Sequence, residues 1–263
     1  MTWAAPRRRF GQNFLHDPRI IARILALIAP RPDERLVEIG PGRGALTRGL
    51  LAAAGTLDAI ELDRELIAPL ERLCAALGTL HIHQADALVC DYRALAGERG
   101  GPLRLVGNLP YNISTPLLFR FLEQSDCLVD LHLMLQREVV ERLVAAPGGK
   151  TYGRLSVMVQ THCTVTRLLV LGPGAFQPAP QVESALVRLV PRGLAREPLP
   201  DPVWHARLVA TAFAQRRKTL RNSLGGMVGV TTLEQLGIDP GARAETLSVA
   251  DFARLASATR PPD

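Results

Sequence analysis

The 263-residue chain is 47% hydrophobic and carries a formal charge of +6, enough for one large α/β domain plus a smaller one, with roughly 70–75% of the unfolded surface buried. Its four cysteines, Cys74, Cys90, Cys127 and Cys163, are widely spaced without a Cys-x-x-Cys pair, which argues against a disulfide framework and against a zinc site. No apolar leader opens the sequence, and its most apolar stretch, Leu128 to Leu135, is interrupted by Asp130 and His132, so a cytoplasmic protein without a membrane segment is expected.

Nearly all the positive charge is arginine, because lysine occurs only at Lys150 and Lys218. Arginine favours bidentate phosphate contacts and stacking on bases, which makes nucleic acid a sensible partner, although a solvated basic face has the same composition.

In chain order, Arg7-Arg8-Arg9-Phe10-Gly11-Gln12-Asn13-Phe14-Leu15-His16-Asp17 is too polar for a core element. Phe10, Phe14 and Leu15 are nevertheless costly to expose, so residues 1–17 read as an arm folded over a ligand. Asp17 is expected to cap a helix from Pro18 to Ala29, with Ile20, Ile21, Ile24, Leu25 and Ile28 at helical spacing.

The strand Leu36-Val37-Glu38-Ile39 then runs into Gly40-Pro41-Gly42-Arg43-Gly44 and a helix to about Ala54, the opening of a nucleotide-type fold. The third glycine comes one position too early for a dinucleotide fingerprint, which favours a cofactor without phosphates. A second strand, Leu57 to Ile60, ends in Glu61 and Asp63, and Glu61 lies about twenty residues past the glycine turn, where an acid accepts from ribose hydroxyls. After a helix from Arg64 to Leu77, a third strand, Leu80 to Gln84, leads to Asp86, positioned either to accept from an adenine amine or to cap the next helix. His81 and His83 alternate on that strand with no third ligand in view, so no metal is expected.

The fourth strand, Leu103 to Gly107, delivers Asn108-Leu109-Pro110-Tyr111. Nucleobase amines are poor nucleophiles, so acceptors that tighten on N–H as charge develops help more than a base. The Asn108 oxygen and a backbone carbonyl beside Pro110 are such acceptors, with Tyr111 to stack on the base. Taken alone, these four residues equally describe a turn that closes a strand. Gly40, Glu61, Asp86 and Asn108 all terminate strands, however, and βα units would bring them to one sheet edge.

Further on, Ser114 or Thr115 is expected to cap a helix, a fifth strand covers Leu128 to Leu135, and helices cover Arg137 to Ala146 and Tyr152 to Cys163. Val165 to Leu171 and Val182 to Val190 would make an antiparallel pair finishing the sheet. The proline-rich segment between them presents Phe176, as a base-pocket wall facing Tyr111 or as core. A break at Pro191 to Pro202 separates a helical C-terminal part. In it, Arg216, Arg217, Lys218 and Arg221 form a basic run whose Arg217 and Arg221 are expected one helical turn apart.

Together, Phe10-Gly11-Gln12-Asn13-Phe14-Leu15, Glu38-Ile39-Gly40-Pro41-Gly42-Arg43-Gly44, Asn108 to Tyr111, Phe176-x-Pro178-x-Pro180-x-Val182-x-Ser184 and Gln215 to Leu224 resemble the KsgA/RsmA family of small-subunit rRNA adenine dimethyltransferases. The resemblance implies an α/β, seven-stranded Rossmann-like fold that binds S-adenosylmethionine and releases S-adenosylhomocysteine, with a small all-helical C-terminal domain. The expected boundaries are an arm over 1–17, a catalytic domain over 18–191, a linker over 192–202 and an RNA-binding domain over 203–263.

The same resemblance implies that Asn13, Leu15, Gly40, Gly42, Glu61, Asp86 and Asn108 line the cofactor. Asn108, Leu109, Pro110, Tyr111 and Phe176 would surround the target base, and Arg7, Arg8, Arg9, Arg216, Arg217, Lys218 and Arg221 would meet RNA. The implied substrate is a pair of adjacent adenosines in the 3′-terminal hairpin loop of small-subunit rRNA in pre-30S particles, each methylated twice on N6; nothing in the sequence requires a dimer, so a monomer is expected. Ala85 departs from the family's usual glycine before the aspartate. Two other readings stand beside this one, a large-subunit rRNA methyltransferase of the antibiotic-resistance type and an assembly factor acting mainly by binding.

Overall fold

The computed structural model describes Trp3, residues 12–193 and residues 199–260. Arg7, Arg8, Arg9, Phe10 and Gly11 lie outside the described residues. Nine strands are described, β1 Phe14–Leu15, β2 Leu36–Ile39, β3 Thr56–Glu61, β4 Thr79–Gln84, β5 Leu103–Asn108, β6 Leu128–Gln136, β7 Cys163–Leu171, β8 Phe176–Gln177 and β9 Ser184–Pro191. Seven of them form one sheet in the order β4-β3-β2-β5-β6-β9-β7. From β4 to β6 the pairing is parallel, whereas β9 runs antiparallel to β6.

A parallel sheet covered by helices buries both faces, so its strands read as continuous apolar runs, and β2 and residues 103–107 of β5 are buried throughout. The exceptions are compensated. Asp130, which interrupts the apolar run of β6, is 1% exposed and takes hydrogen bonds from Arg104 Nε (2.9 Å) and Arg188 Nε (3.0 Å). Burial opposes its charge, but His132 and Arg104 beside it hold the carboxyl well below the usual range.

The first helix, Pro18–Ile28, starts where Asp17 accepts from the Arg19 and Ile20 amides. Helices Thr47–Ala54 and Arg64–Cys74 cross between β2, β3 and β4, the second capped by Asp63. Several local expectations are corrected. The helix Ser114–Glu123 has no side-chain cap, because apolar Ile113 occupies the cap position, and the Ser114 hydroxyl donates to the Tyr111 carbonyl (3.1 Å). The short helix that follows β4, Tyr92–Glu98, is capped by Asp91, which accepts from the Ala94 amide, and not by Asp86. The expected pair of late strands does finish the sheet, with β9 between β6 and β7 and β7 at the edge.

The described residues divide into two compact units, one within 1–140 and 166–191, the other within 141–165 and 192–263. The second unit therefore includes the helix Arg154–His162, which groups with the C-terminal helices Pro202–Phe213 and Val249–Ala258. Its interior holds Tyr152 edge-on to Phe213 (6.2 Å between centroids), and Phe213 in turn meets Phe252 (5.6 Å). Among the described residues, no helix is long and apolar enough to cross a membrane.

Candidate active site

Parallel strands all present their carboxyl ends to one edge of the sheet, and that geometry builds the site. One cavity of about 260 Å³ is lined by Asn13, Leu15, Gly40, Gly42, Glu61, Asp86, Asn108, Leu109, Pro110 and Tyr111. Residues separated by as many as 98 positions thus meet around one space.

The glycine turn is shaped for close approach. Gly42 has φ +57°, and a Cβ there would sit 3.0 Å from the Phe14 ring. A Cβ on Gly44, at φ +78°, would strike Leu70 and Leu73 at 2.8 and 2.9 Å, so the early third glycine lets the helix Arg64–Cys74 pack tightly.

Glu61 is 6% exposed and binds the turn itself, accepting from the Gly42 amide (3.2 Å) and the Asp63 amide (2.8 Å). Burial raises its pKa and those two amides oppose the rise. Asp63 serves as a helix cap and accepts from Gln12 Nε2 (3.3 Å), which ties down the arm. Asp86 accepts from the Leu88 amide (2.9 Å) with one oxygen.

The arm is stitched over this edge at several points. β1 pairs antiparallel with β8, His16 N–H donates to the Ala175 carbonyl (2.9 Å), and the Arg43 guanidinium lies 4.4 Å from the Phe14 ring centroid. Asn108 Nδ2 donates to the Asn13 carbonyl (2.8 Å), an amide orientation that leaves Asn108 Oδ1 as an acceptor. Tyr111 shares a 2.5 Å hydrogen bond between its hydroxyl and the fully buried Ser184 Oγ, which fixes the ring.

Phe176, expected opposite Tyr111, is placed differently. Its ring is 2% exposed in the apolar cluster that also holds Leu15, Val106, Met134 and Leu186, and it does not line the cavity. Pairing with β1 turns this position inward, a constraint that a proline-rich linker gives no sign of in sequence.

Glu38 also lines the cavity and was not singled out from sequence, although a carboxylate inside an otherwise apolar strand was its signal. It is 3% exposed, its Oε2 has no hydrogen-bond partner, and burial, reinforced by nearby Glu61, pushes its pKa up to about 7 against the influence of Thr47. Among the described residues, no group of three or more His, Cys, Asp and Glu is arranged to hold a metal ion. His83 instead meets Asp58 Oδ1 at 2.6 Å, and Arg99 also binds Asp58.

In the other unit, the basic run does not form one helix. Arg216, Arg217 and Lys218 occupy a turn after Pro202–Phe213, Thr219 makes a bridge to Arg243, and only then does the helix Leu220–Leu224 begin. Arg217 and Arg221 are therefore not one helical turn apart, yet both are exposed, as is Lys218. Arg216 is partly engaged, donating to the Lys150 carbonyl (2.7 Å) and to Glu245 (3.1 Å).

Among known proteins, the chain is 52% identical over 250 residues to the ribosomal RNA small subunit methyltransferase A of Pseudomonas fluorescens, covering 95% of this chain and 92% of that one. In fold it is similar to a dimethyladenosine transferase from Plasmodium falciparum, with TM-score 0.80, 24% identity, and 92% and 95% of the two chains covered. It is also similar to the 23S rRNA methyltransferase ErmE, with TM-score 0.71, 25% identity, and 95% and 100% covered. The family model described as ribosomal RNA adenine dimethylase matches residues 4–260, and the chain belongs to that family.

Proposed function

We propose that this chain uses S-adenosylmethionine to dimethylate N6 of two adjacent adenosines in the 3′-terminal hairpin loop of small-subunit rRNA. The observation that carries this reading is a single cavity joining Asn108 and Tyr111 to Gly40, Glu61 and Asp86, in a chain matched almost throughout by the family. The large-subunit alternative has ErmE behind it at 25% identity, whereas the small-subunit relative shares 52% over 95% of the chain.

The residues present fit the cofactor. Two buried carboxylates, Glu38 and Glu61, face one cavity, and among the described residues that line it Arg43 is the one lysine or arginine, so a cationic ligand relieves a charge that burial penalises. Glu61 would hold the ribose hydroxyls, and Asp86 the adenine amine through its second oxygen. Asn13, Leu15, Gly40, Gly42 and Asn108 would line the remainder. When bound, S-adenosylmethionine supplies a methyl group activated by its sulfonium and leaves as S-adenosylhomocysteine.

The chain's own residues handle the target amine. Asn108 Oδ1 and the Leu109 carbonyl accept its N–H hydrogens, and their hold tightens as positive charge develops on nitrogen. Pro110 stiffens the bend that aims them, and Tyr111, braced by Ser184, offers a face for the unstacked base. Phe176 contributes from behind, by anchoring the arm through Leu15. A loop adenosine costs less to unstack than a paired one, which favours a hairpin-loop target.

Arg217, Lys218 and Arg221 supply phosphate contacts, with Arg216 and the Arg7-Arg8-Arg9 triplet as further donors. Action on pre-30S particles, as a monomer in the cytoplasm, completes the proposal. Mass spectrometry of digested small- and large-subunit rRNA from cells with and without the gene tests it. Loss of dimethyladenosine from the large subunit alone would overturn it. Purified Asn108→Ala is expected to lose at least about 10²-fold in transfer, and near-normal turnover would remove Asn108 from its role.

A further inference from the structure

The loop from Ala85 to Asp91 carries Asp86 but has little apolar anchorage of its own, and Val89 at its centre is 75% exposed. What holds it is a set of polar side chains, Tyr92 and Gln124 buried and Arg120 half-buried, that no part of the methyl-transfer chemistry uses. The Tyr92 hydroxyl donates to the Ala87 carbonyl (2.9 Å), one residue past Asp86. The Cys90 carbonyl accepts from Arg120 Nη2 (2.9 Å) and from Gln124 Nε2 (3.2 Å).

Gln124 is 1% exposed and uses both ends of its amide. While its nitrogen reaches the loop, its Oε1 accepts from the Tyr92 and Arg93 amides at 2.9 and 3.3 Å. Tyr92 in turn packs edge-on to Phe121, with centroids 5.4 Å apart. Phe121 and Arg120 lie on the helix Ser114–Glu123, Gln124 ends it, and its other end begins just past Tyr111, whose carbonyl accepts from Ser114 Oγ. A single helix thus touches the target-amine loop at its start and the Asp86 loop at its end.

We infer that Gln124, with Tyr92 and Arg120, is a positioning residue for the adenine end of the donor site, holding the Asp86 loop in register with the loop that carries Asn108 and Tyr111. A buried amide satisfied at both ends is a rigid strut: losing its oxygen strips the Tyr92 amide of its acceptor, and losing its nitrogen leaves the Cys90 carbonyl held by Arg120 alone. Ala85, where a glycine is usual in the family, raises no conflict, because the strut fixes the loop from its carbonyls rather than from close backbone approach. The inference rests on reading Asp86 as the partner of the adenine amine.

The test is calorimetric binding of S-adenosylhomocysteine and of its 6-deamino purine analogue, which lacks the amine, to the full chain and to Gln124→Glu, Tyr92→Phe and Asp86→Ala. Gln124→Glu keeps the acceptor for the Tyr92 and Arg93 amides but loses the donor to Cys90, and Tyr92→Phe removes only the hydroxyl, so both retain the packing. The unmodified chain is expected to prefer the amine-bearing ligand by about tenfold, the worth of one charge-assisted hydrogen bond. Both strut variants are expected to reduce that preference to about threefold or less, and Asp86→Ala to abolish it. General loosening of the fold would weaken both ligands alike and leave the ratio intact. An unchanged ratio in both strut variants, with the ratio lost in Asp86→Ala, overturns the inference. A ratio preserved in Asp86→Ala overturns the reading of Asp86 itself, and the inference with it.

Discussion

Replacing Glu38 by Gln tests the electrostatics of the cavity without its ligand. Glu38 is buried with an unpartnered Oε2, and burial raises its pKa from the ordinary 4.5 to about 7. A carboxyl raised on folding means the folded chain holds more protons than the unfolded chain between those values. The contribution is therefore complete below about pH 4.5, falls as pH rises, and levels off above pH 7. The gap corresponds to about 3 kcal/mol between pH 4 and pH 8, as an order of magnitude. Glu38→Gln stays neutral, so cofactor-free variant and parent should differ by that amount more at pH 8 than at pH 4, in the variant's favour. Urea unfolding of both proteins across this range measures it. A stability difference that is flat with pH would refute the assignment of Glu38 as an uncompensated buried acid.

His205 is expected to act with the opposite sign. Both of its ring nitrogens are buried without partners, and burial, with His162 nearby, pushes its pKa down to about 4 from 6.5. The unfolded chain then binds the extra proton, so stability is lost as pH falls from about 6.5 towards 4, and His205→Leu should remove that loss by about 3 kcal/mol in the same unfolding series. Ser184→Ala deletes the 2.5 Å partner of the Tyr111 hydroxyl. Transfer to small-subunit particles should drop about tenfold, and Tyr111→Phe should add little to it in a double-mutant cycle, while additive losses would show that the two act separately. Replacing exposed Arg217 and Arg221 by Ala should weaken RNA binding and reduce its salt slope by roughly one per lost phosphate contact, whereas an unchanged slope marks a merely solvated face.

Much of this protein was legible in its sequence because local rules act over a few residues. Strand β2 was predicted with its observed bounds, since an apolar run followed by Gly40-Pro41-Gly42 leaves few alternatives. Asp17 before Pro18 signalled the first helix, because a short acid accepts from the orphan amides at a helix start and a proline there has no N–H to leave unpaired. The alternation of strands and helices in turn placed Gly40, Glu61, Asp86 and Asn108 at strand ends on one edge, where the structure gathers them around one cavity.

What only the tertiary structure decided involves partners distant in the chain. Phe176 went into the core because β8 pairs with Phe14–Leu15, more than 150 residues earlier, a register no local pattern encodes. The basic run is split between a turn after Phe213 and the helix Leu220–Leu224, with the bridge from Thr219 to Arg243 fixing the backbone between them, although the propensity of Gln215 to Leu224 favours one helix. Glu38, Ser184 and Gln124 took their roles from burial and from long-range hydrogen bonds, present at Ser184 and Gln124 and missing at Glu38 Oε2. Sequence specifies which side chains are polar; the environment that makes one of them a strut, a brace or an uncompensated charge exists only once the chain has folded around it.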